Sequence, residues 1–255
     1  MSLKVITIDF WNTLFDSSNG TQRNTIRQKA LIGEIEAVGR TISSEEFNSA
    51  MQASWEFFNN IWKNEYRTPD PAETVRFFWS RLDMPHSEKA IAAIVKAFAE
   101  SILDYPPRPM QGVRRALDQL AGDYRLGIVS DTGFSPGKVL KELLYREDML
   151  DYFEAFSFSD ETKVSKPHEK AFLTVLDRLG CNPADALHIG DIEETDVAGA
   201  KKLGMMAIRF TGDETAFSGF NKSEKSFADS ICKSWDDIIV QIDDWAAEDT
   251  DKKAI

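Results

Sequence analysis

The chain of 255 residues carries 30 lysine and arginine residues against 42 aspartate and glutamate residues, a formal net charge of -12 that argues against a nucleic-acid partner. Its 42% hydrophobic and 28% charged residues are typical of a soluble globular protein with one large or two unequal domains. No apolar run approaches the roughly 18 residues of a membrane helix. Two distant cysteines, and no charged start followed by an apolar stretch, predict a cytoplasmic protein. The expected partner is a small-molecule substrate, bound by a monomer or a homodimer.

The first predicted element is a buried strand that ends on a carboxylate. The stretch KVITIDFWNTLFDS begins as an apolar run, reaches Asp9, and places Trp11 two residues later. From about residue 17, apolar residues recur at helical spacing. This spacing predicts four helices, at Thr21–Val38, Ser43–Asn64, Pro71–Leu82 and Ser87–Leu103. The proline-rich segment from Asp104 to Gly112 ends them, because proline cannot continue a helix.

Beyond that segment, strands and helices alternate as they do in a parallel sheet covered by helices. The predicted strands are RLGIVSD, a short strand near Phe156–Ser159, ALHIGD, MMAIRF and a short strand near Asp229–Cys232. The predicted fold class is therefore α/β, a Rossmann-like parallel sheet core of residues 1–16 and 105–255 with an inserted α-helical cap of residues 17–104.

Polar residues follow several of these strands. Asp9, Ser130 and Asp191 lie at strand ends, and Lys166 lies on a loop between them. Ligands of such sheets bind beyond the carboxyl ends of the strands. Each residue alone also has an ordinary structural explanation, as a turn cap, a turn residue or a solvated surface lysine. Together they predict one shared site.

These residues, in this order, resemble the haloacid dehalogenase (HAD) superfamily of aspartate-nucleophile hydrolases. Its four motifs are similar to IDFWNTLFD, IVSDTG, KVSKPHEKAF and HIGDIEETDVAGA, and the helical insert resembles a C1-type cap. The resemblance implies a hydrolase of small molecules in which Asp9 forms a covalent aspartyl intermediate. It implies that Lys166 neutralises the transferring group and that Ser130 donates a hydrogen bond to it.

The resemblance also implies a metal site. Clustered carboxylates repel one another and require a counter-charge, which Mg²⁺ supplies through oxygen ligands. The expected ligands are Asp9, the backbone carbonyl of Trp11, Asp191 and, close by, Asp196. Substrate contacts are expected from Trp11, Asn12, Thr132 and Arg40. Arg40 lies in the turn between the first two cap helices, where dehalogenase-like relatives place a substrate-binding arginine, and its alternative is an ordinary surface arginine.

The first motif departs from the family pattern. Phosphatases of the family carry a second aspartate two residues after the nucleophile, where it protonates the leaving group and later activates water. Trp11 can do neither, because an indole has no usable pKa, and Asn12 replaces the familiar glycine. Asp131 and His168 are candidates to replace the lost acid and base. The alternative for Asp131 is an ordinary turn aspartate, and the alternative for His168 is a residue in the first turn of a helix.

Three hypotheses about function follow. The first is a Mg²⁺-dependent phosphohydrolase that acts on a small phosphorylated metabolite. The second is a dehalogenase, since dehalogenases of the family carry an aromatic residue in place of the second aspartate. They use no metal, however, and place asparagine after the serine of the second motif, whereas this chain keeps the carboxylates of SDTG and GDIEETD. The third is a low-activity homologue that binds a phosphorylated ligand.

Overall fold

The computed structural model describes residues 3–215 and 225–253. The remaining residues of the predicted core, 1, 2, 216–224, 254 and 255, lie outside the described ranges. Within those ranges the sheet has six parallel strands in the order β3-β2-β1-β4-β5-β6. The strands are β1 (Val5–Ile8), β2 (Arg125–Ser130), β3 (Phe153–Phe158), β4 (Ala186–Gly190), β5 (Met206–Phe210) and β6 (Ser230–Cys232).

Helices cover both faces of the sheet, which confirms the predicted α/β class. The core helices are α5 (Val113–Asp123), α6 (Gly137–Arg146), α7 (Ser159–Thr162), α8 (Glu169–Arg178), α9 (Ala198–Lys202) and α10 (Trp235–Lys253). Strand β1 is central and fully buried. Ile6 and Ile8 pack in the cluster that contains α5, α6 and α10, whereas Val5 packs in the cluster that contains α8 and α9. The alternation follows from the two-residue period of a strand.

Residues 17–104, all of which the structure describes, fold into four helices, each within one residue of the predicted bounds at either end. They are α1 (Gly20–Ala37), α2 (Ser44–Glu65), α3 (Pro71–Arg81) and α4 (Glu88–Asp104). Helix α2 begins at a capping box in which Ser43 and Glu46 satisfy each other's backbone amides. The four helices share a hydrophobic cluster of their own, centred on buried residues such as Leu31, Phe78 and Ile94. We call residues 17–104 the cap.

The order of the strands places the predicted site. Strands β2 and β4 flank β1 in parallel register, so the residues that follow them lie together at one edge of the sheet. Asp9 follows β1, Asp131 follows β2 and Asp191 follows β4. Among the described residues, no helix is long and apolar enough to span a membrane.

Candidate active site

A buried lysine lies between two carboxylates at the centre of this edge. The Nζ atom of Lys166 is 2.6 Å from Oδ1 of Asp9 and 2.6 Å from Oδ1 of Asp196. The side chain of Lys166 is only 3% exposed. Burial by itself lowers the pKa of Lys166, but the carboxylates of Asp196 and Asp9 outweigh burial and hold that pKa above its ordinary value. Lys166 is therefore a cation that orients the predicted nucleophile.

The two carboxylates differ in their electrostatic environments. Burial raises the pKa of Asp9 to about 6, although the ammonium of Lys166 opposes the shift. For Asp196 burial acts in the same direction, but Lys166 and His188 outweigh it and bring the pKa of Asp196 below its usual range. Both oxygens of Asp196 are engaged. Oδ1 contacts Lys166 and His188, and Oδ2 accepts hydrogen bonds from the Ile192 amide (3.1 Å) and the Thr195 hydroxyl (3.2 Å).

Asp196 reaches this position through local backbone geometry. A π-helical turn, Glu193–Val197, precedes α9 and carries Asp196 toward the end of β4. The approach requires glycine at position 190, because a Cβ there would lie 2.4 Å from the Asp196 carboxyl group. His188 supports the same carboxylate from within β4, with Nε2 2.9 Å from Asp196 Oδ1 and Nδ1 2.9 Å from the Thr7 hydroxyl. The contact of His188 with Asp196 was not predicted from the sequence.

Asn12 adopts a backbone conformation that glycine adopts most easily. Its backbone is left-handed, with φ of 56°, and asparagine adopts this conformation more readily than most residues other than glycine. Its Nδ2 donates to Oδ2 of Asp191 at 3.1 Å, and its Oδ1 accepts a hydrogen bond from the Ser17 hydroxyl at 2.6 Å. Burial, followed by the charges of Asp196 and Asp9, holds the pKa of Asp191 well above its usual range.

The carboxylates of this site fit a hard divalent cation. Asp9, Asp191 and Asp196 each offer an oxygen, and these oxygens lie within 4.8 Å of one another. Lys166 is hydrogen-bonded to Asp9 and Asp196 but is not hydrogen-bonded to Asp191, so one ammonium faces a larger buried negative charge. Because both oxygens of Asp196 already accept hydrogen bonds, Asp9 and Asp191 are the side chains better placed to hold Mg²⁺.

The loop after β2 contacts both the cap and the loop of Lys166. Ser130 is buried, with its hydroxyl 3.5 Å from the Asp131 carbonyl. Asp131 accepts two hydrogen bonds, from the Trp62 indole N–H to Oδ2 (2.8 Å) and from the Lys166 amide to Oδ1 (2.9 Å). Burial raises the pKa of Asp131. The Thr132 side chain is hydrogen-bonded within the core, to Asp160 Oδ1 at 3.0 Å.

Trp11 is half-buried two residues after Asp9. Its ring packs edge-on against Phe10, with 5.3 Å between ring centroids. The Arg23 guanidinium lies 6.0 Å from the centroid of the Trp11 ring and donates hydrogen bonds to the carbonyls of Ser18 and Tyr105. No carboxylate among the described residues is hydrogen-bonded to Arg23. Trp11 therefore presents an apolar ring, with a positive charge nearby, two residues after Asp9.

Two predicted residues lie apart from this cluster. Arg40 is exposed and lines a separate cavity whose lining residues all belong to the cap, so its role in substrate binding stays a prediction. His168 is the N-terminal cap of α8, where its Nδ1 accepts a hydrogen bond from the Lys170 amide at 3.1 Å. That contact gives His168 a structural role.

A cavity of about 420 Å³ lies between the cap and the core beside Lys166. Trp62, Lys63 and Tyr66 line it from the cap, and Lys166 and Thr195 are among the residues that line it from the core. Its size is in the range of pockets that bind small molecules.

The model of the haloacid dehalogenase-like hydrolase family matches residues 3–204. The chain belongs to this family. A glyceraldehyde 3-phosphate phosphatase of Pyrococcus abyssi is 30% identical over 209 residues, which cover 82% of this chain and 81% of that protein. As a member of the family, this chain is a hydrolase.

Two solved structures resemble the fold of this hydrolase over nearly its whole length. A 2-haloacid dehalogenase from Pseudomonas syringae pv. Tomato aligns with a TM-score of 0.71 at 19% identity and covers 95% of this chain and 99% of its own. A HAD phosphatase from Thermococcus onnurineus aligns with a TM-score of 0.65 at 20% identity and covers 94% of this chain and 98% of its own. At these identities the likeness shows the fold and leaves the substrate open.

Proposed function

We propose that this hydrolase is a Mg²⁺-dependent phosphohydrolase of small phosphorylated metabolites, with Asp9 as its nucleophile. The observation that carries the proposal is the buried cluster in which Lys166 holds Asp9 and Asp196 at 2.6 Å while Asp191 lies beside them. A dehalogenase would not need Asp191 as a metal ligand, because a halide leaves without the help of a metal ion. The relative named glyceraldehyde 3-phosphate phosphatase supports the same substrate class.

The reaction follows from the positions of these groups. A carboxylate oxygen of Asp9 attacks phosphorus, and the bond from phosphorus to the leaving oxygen breaks, which gives an aspartyl phosphate. Water then attacks phosphorus and loses a proton to solvent, and the bond between phosphorus and the Asp9 oxygen breaks. Inorganic phosphate is released and the Asp9 carboxylate is regenerated. Lys166 offers its positive charge to the phosphoryl oxygens and keeps Asp9 oriented, and Ser130 offers a hydroxyl donor from the end of β2.

A bound Mg²⁺, held by Asp9, Asp191 and the Trp11 carbonyl, would supply the counter-charge that lets an anionic nucleophile approach an anionic phosphate. Asp196 acts on Lys166 and not directly on the substrate. Its four hydrogen-bonding partners fix its carboxylate, and its Oδ1 fixes the ammonium of Lys166.

Trp11 restricts the substrates that this site can hydrolyse quickly. An indole does not protonate a leaving oxygen, and a missing general acid costs ~10²–10⁴ in rate. Acyl and aryl phosphates depend least on that proton, so we propose that they are turned over faster than alkyl phosphates. Asp131 remains the candidate to supply the proton for poorer leaving groups. The cavity beside Lys166 would receive the leaving group.

A substrate panel tests the proposal. Acyl phosphates, aryl and alkyl phosphate esters and 2-haloacids are each assayed with Mg²⁺ and with excess chelator, using wild type and Asp9→Asn. We expect release of phosphate that requires both Mg²⁺ and Asp9. Halide release in the presence of chelator would instead establish the dehalogenase hypothesis. Tight binding of a phosphorylated ligand that is equal in both proteins, without turnover, would establish the binding hypothesis.

A further inference from the structure

The end of helix α2 and the residues after it connect the cap to both loops that surround the catalytic lysine. The Trp62 indole donates to Asp131 in the loop after β2 at 2.8 Å. The Tyr66 carbonyl accepts a hydrogen bond at 2.7 Å from the amide of Ser165, the residue before Lys166. These contacts join the cap to the second and third motifs at once.

A third contact anchors the same segment. The hydroxyl of Thr68 lies 2.5 Å from the hydroxyl of Ser159, and Ser159 accepts a hydrogen bond from the Thr132 amide at 2.8 Å. Thr68 and Ser159 are both buried. We call Trp62, Tyr66 and Thr68 the docking segment.

Asp131 transmits the contact of Trp62 to the lysine. Its Oδ2 accepts from the Trp62 indole and its Oδ1 accepts from the backbone amide of Lys166 at 2.9 Å. The Nζ atom of Lys166 in turn holds Asp9 at 2.6 Å. The amides of two consecutive residues, Ser165 and Lys166, are thus held by the cap, one directly and the other through a single carboxylate.

Loss of the hydrogen bond from Trp62 to Asp131 should also disturb the hydrogen bond from the Lys166 amide to Asp131. Hydrogen bonds to a charged acceptor are shorter and stronger than neutral ones. Asp131 is part-buried, and removal of the indole donor leaves one of its carboxylate oxygens without that partner. The carboxyl group can regain a donor only if it or its loop moves. Such movement disturbs its other hydrogen bond, the one that fixes the backbone of Lys166.

We infer that Trp62 is a positioning residue: its indole N–H, acting through Asp131, fixes the loop that places Lys166 against Asp9. Docking of the cap thereby sets the geometry of the nucleophile as well as closing over the substrate. The inference about geometry stands on the contacts alone, and its consequence for the rate rests on the proposed function.

The test compares two tryptophan substitutions in the cap. Trp62→Phe keeps an aromatic ring and removes the N–H that reaches the core. Trp79→Phe is the matched control, since the Trp79 indole also donates one hydrogen bond, to the Pro85 carbonyl at 2.9 Å, but wholly within the cap. Asp131→Ala breaks the same connection from the core side, without changing the cap, and serves if Trp62→Phe does not fold.

The first measurement is amide hydrogen exchange followed by mass spectrometry on the peptide that contains Ser165 and Lys166. We expect exchange of this peptide to be about tenfold faster in Trp62→Phe and Asp131→Ala, and unchanged in Trp79→Phe. Equal exchange in Trp62→Phe and Trp79→Phe overturns the inference. No substrate is required, so this result is independent of the proposed function.

The second measurement is steady-state hydrolysis of an aryl phosphate. We expect Trp62→Phe to lower kcat about tenfold, with a smaller change in KM, and Trp79→Phe to change neither. In the double variant Trp62→Phe, Asp131→Ala, the loss should equal that of Asp131→Ala alone, because both substitutions break one connection. Additive losses overturn the inference. If wild type itself hydrolyses no phosphate ester, the proposed function fails and the exchange result alone decides the role of Trp62.

Discussion

Replacement of Trp11 by aspartate tests how the first motif limits catalysis. The substitution restores a carboxylate two residues after Asp9 and leaves the backbone carbonyl proposed to bind metal. In the structure the Trp11 ring packs on Phe10 at 5.3 Å and lies 6.0 Å from the guanidinium of Arg23. The new side chain would therefore enter a site with a positive charge nearby.

One favourable effect and two unfavourable effects set the size of the gain in rate. A positioned general acid and base contributes ~10²–10⁴ in rate, which corresponds to roughly 3–5 kcal/mol of barrier. Against this, Arg23 favours the ionised form of the new carboxylate and so weakens it as an acid. The lost ring also leaves a void beside Phe10. We therefore expect a gain near the lower end of the range, about 10².

The assay is hydrolysis of p-nitrophenyl phosphate and of an alkyl phosphate at saturating Mg²⁺. The alkyl ester should gain more, because its poor leaving group needs the proton most. Trp11→Asn is the matched control, since it creates a similar void without a titratable group. The reasoning is refuted if Trp11→Asp and Trp11→Asn are equally active, or if wild type already hydrolyses the alkyl ester as fast as the aryl ester.

Two further substitutions test the carboxylate cluster. Asp191→Asn keeps the shape of the side chain and removes its charge, so calorimetry should detect Mg²⁺ binding to wild type and none to the variant; equal heats would contradict the metal site. Lys166→Met leaves Asp9 and Asp196 without their shared cation, which should lower the free energy of unfolding by ~3–5 kcal/mol near neutral pH. This loss in the free energy of unfolding should become smaller toward about pH 5, because the unpaired carboxylates then bind protons. Urea denaturation at both pH values measures it, and an equal loss at both would argue against this electrostatic role of Lys166.

The sequence predicted the scaffold well because the relevant signals are local. Helical periodicity bounded the cap helices to within a residue at either end. The buried strands ended where polar residues interrupted them, and parallel pairing then brought Asp9 and Asp191 to one edge. Asn12 was predicted as a substrate contact and a departure from the family pattern, and its hydrogen bond to Asp191 was not predicted, although its tolerance of positive φ was an available signal.

Other features depend on tertiary contacts that local patterns do not encode. Trp62 and Asp131 are 69 positions apart and meet only when the cap docks on the core. His188 lies in a strand that is buried throughout, so alternation of polarity could not reveal which face it occupies. Arg40 was predicted from its place in a turn between helices, and its surroundings in the structure are all cap residues.

The most direct test of the central claim is capture of the covalent intermediate on Asp9. Wild type and Asp9→Asn are incubated with acetyl phosphate and Mg²⁺, quenched in acid, digested and analysed by mass spectrometry. Because Trp11 cannot activate the second-step water, the aspartyl phosphate should accumulate in wild type, on the peptide containing Asp9, and should be absent from Asp9→Asn and from wild type with chelator. Steady release of phosphate with no phosphoryl group on Asp9, or equal labelling of both proteins, would contradict the account.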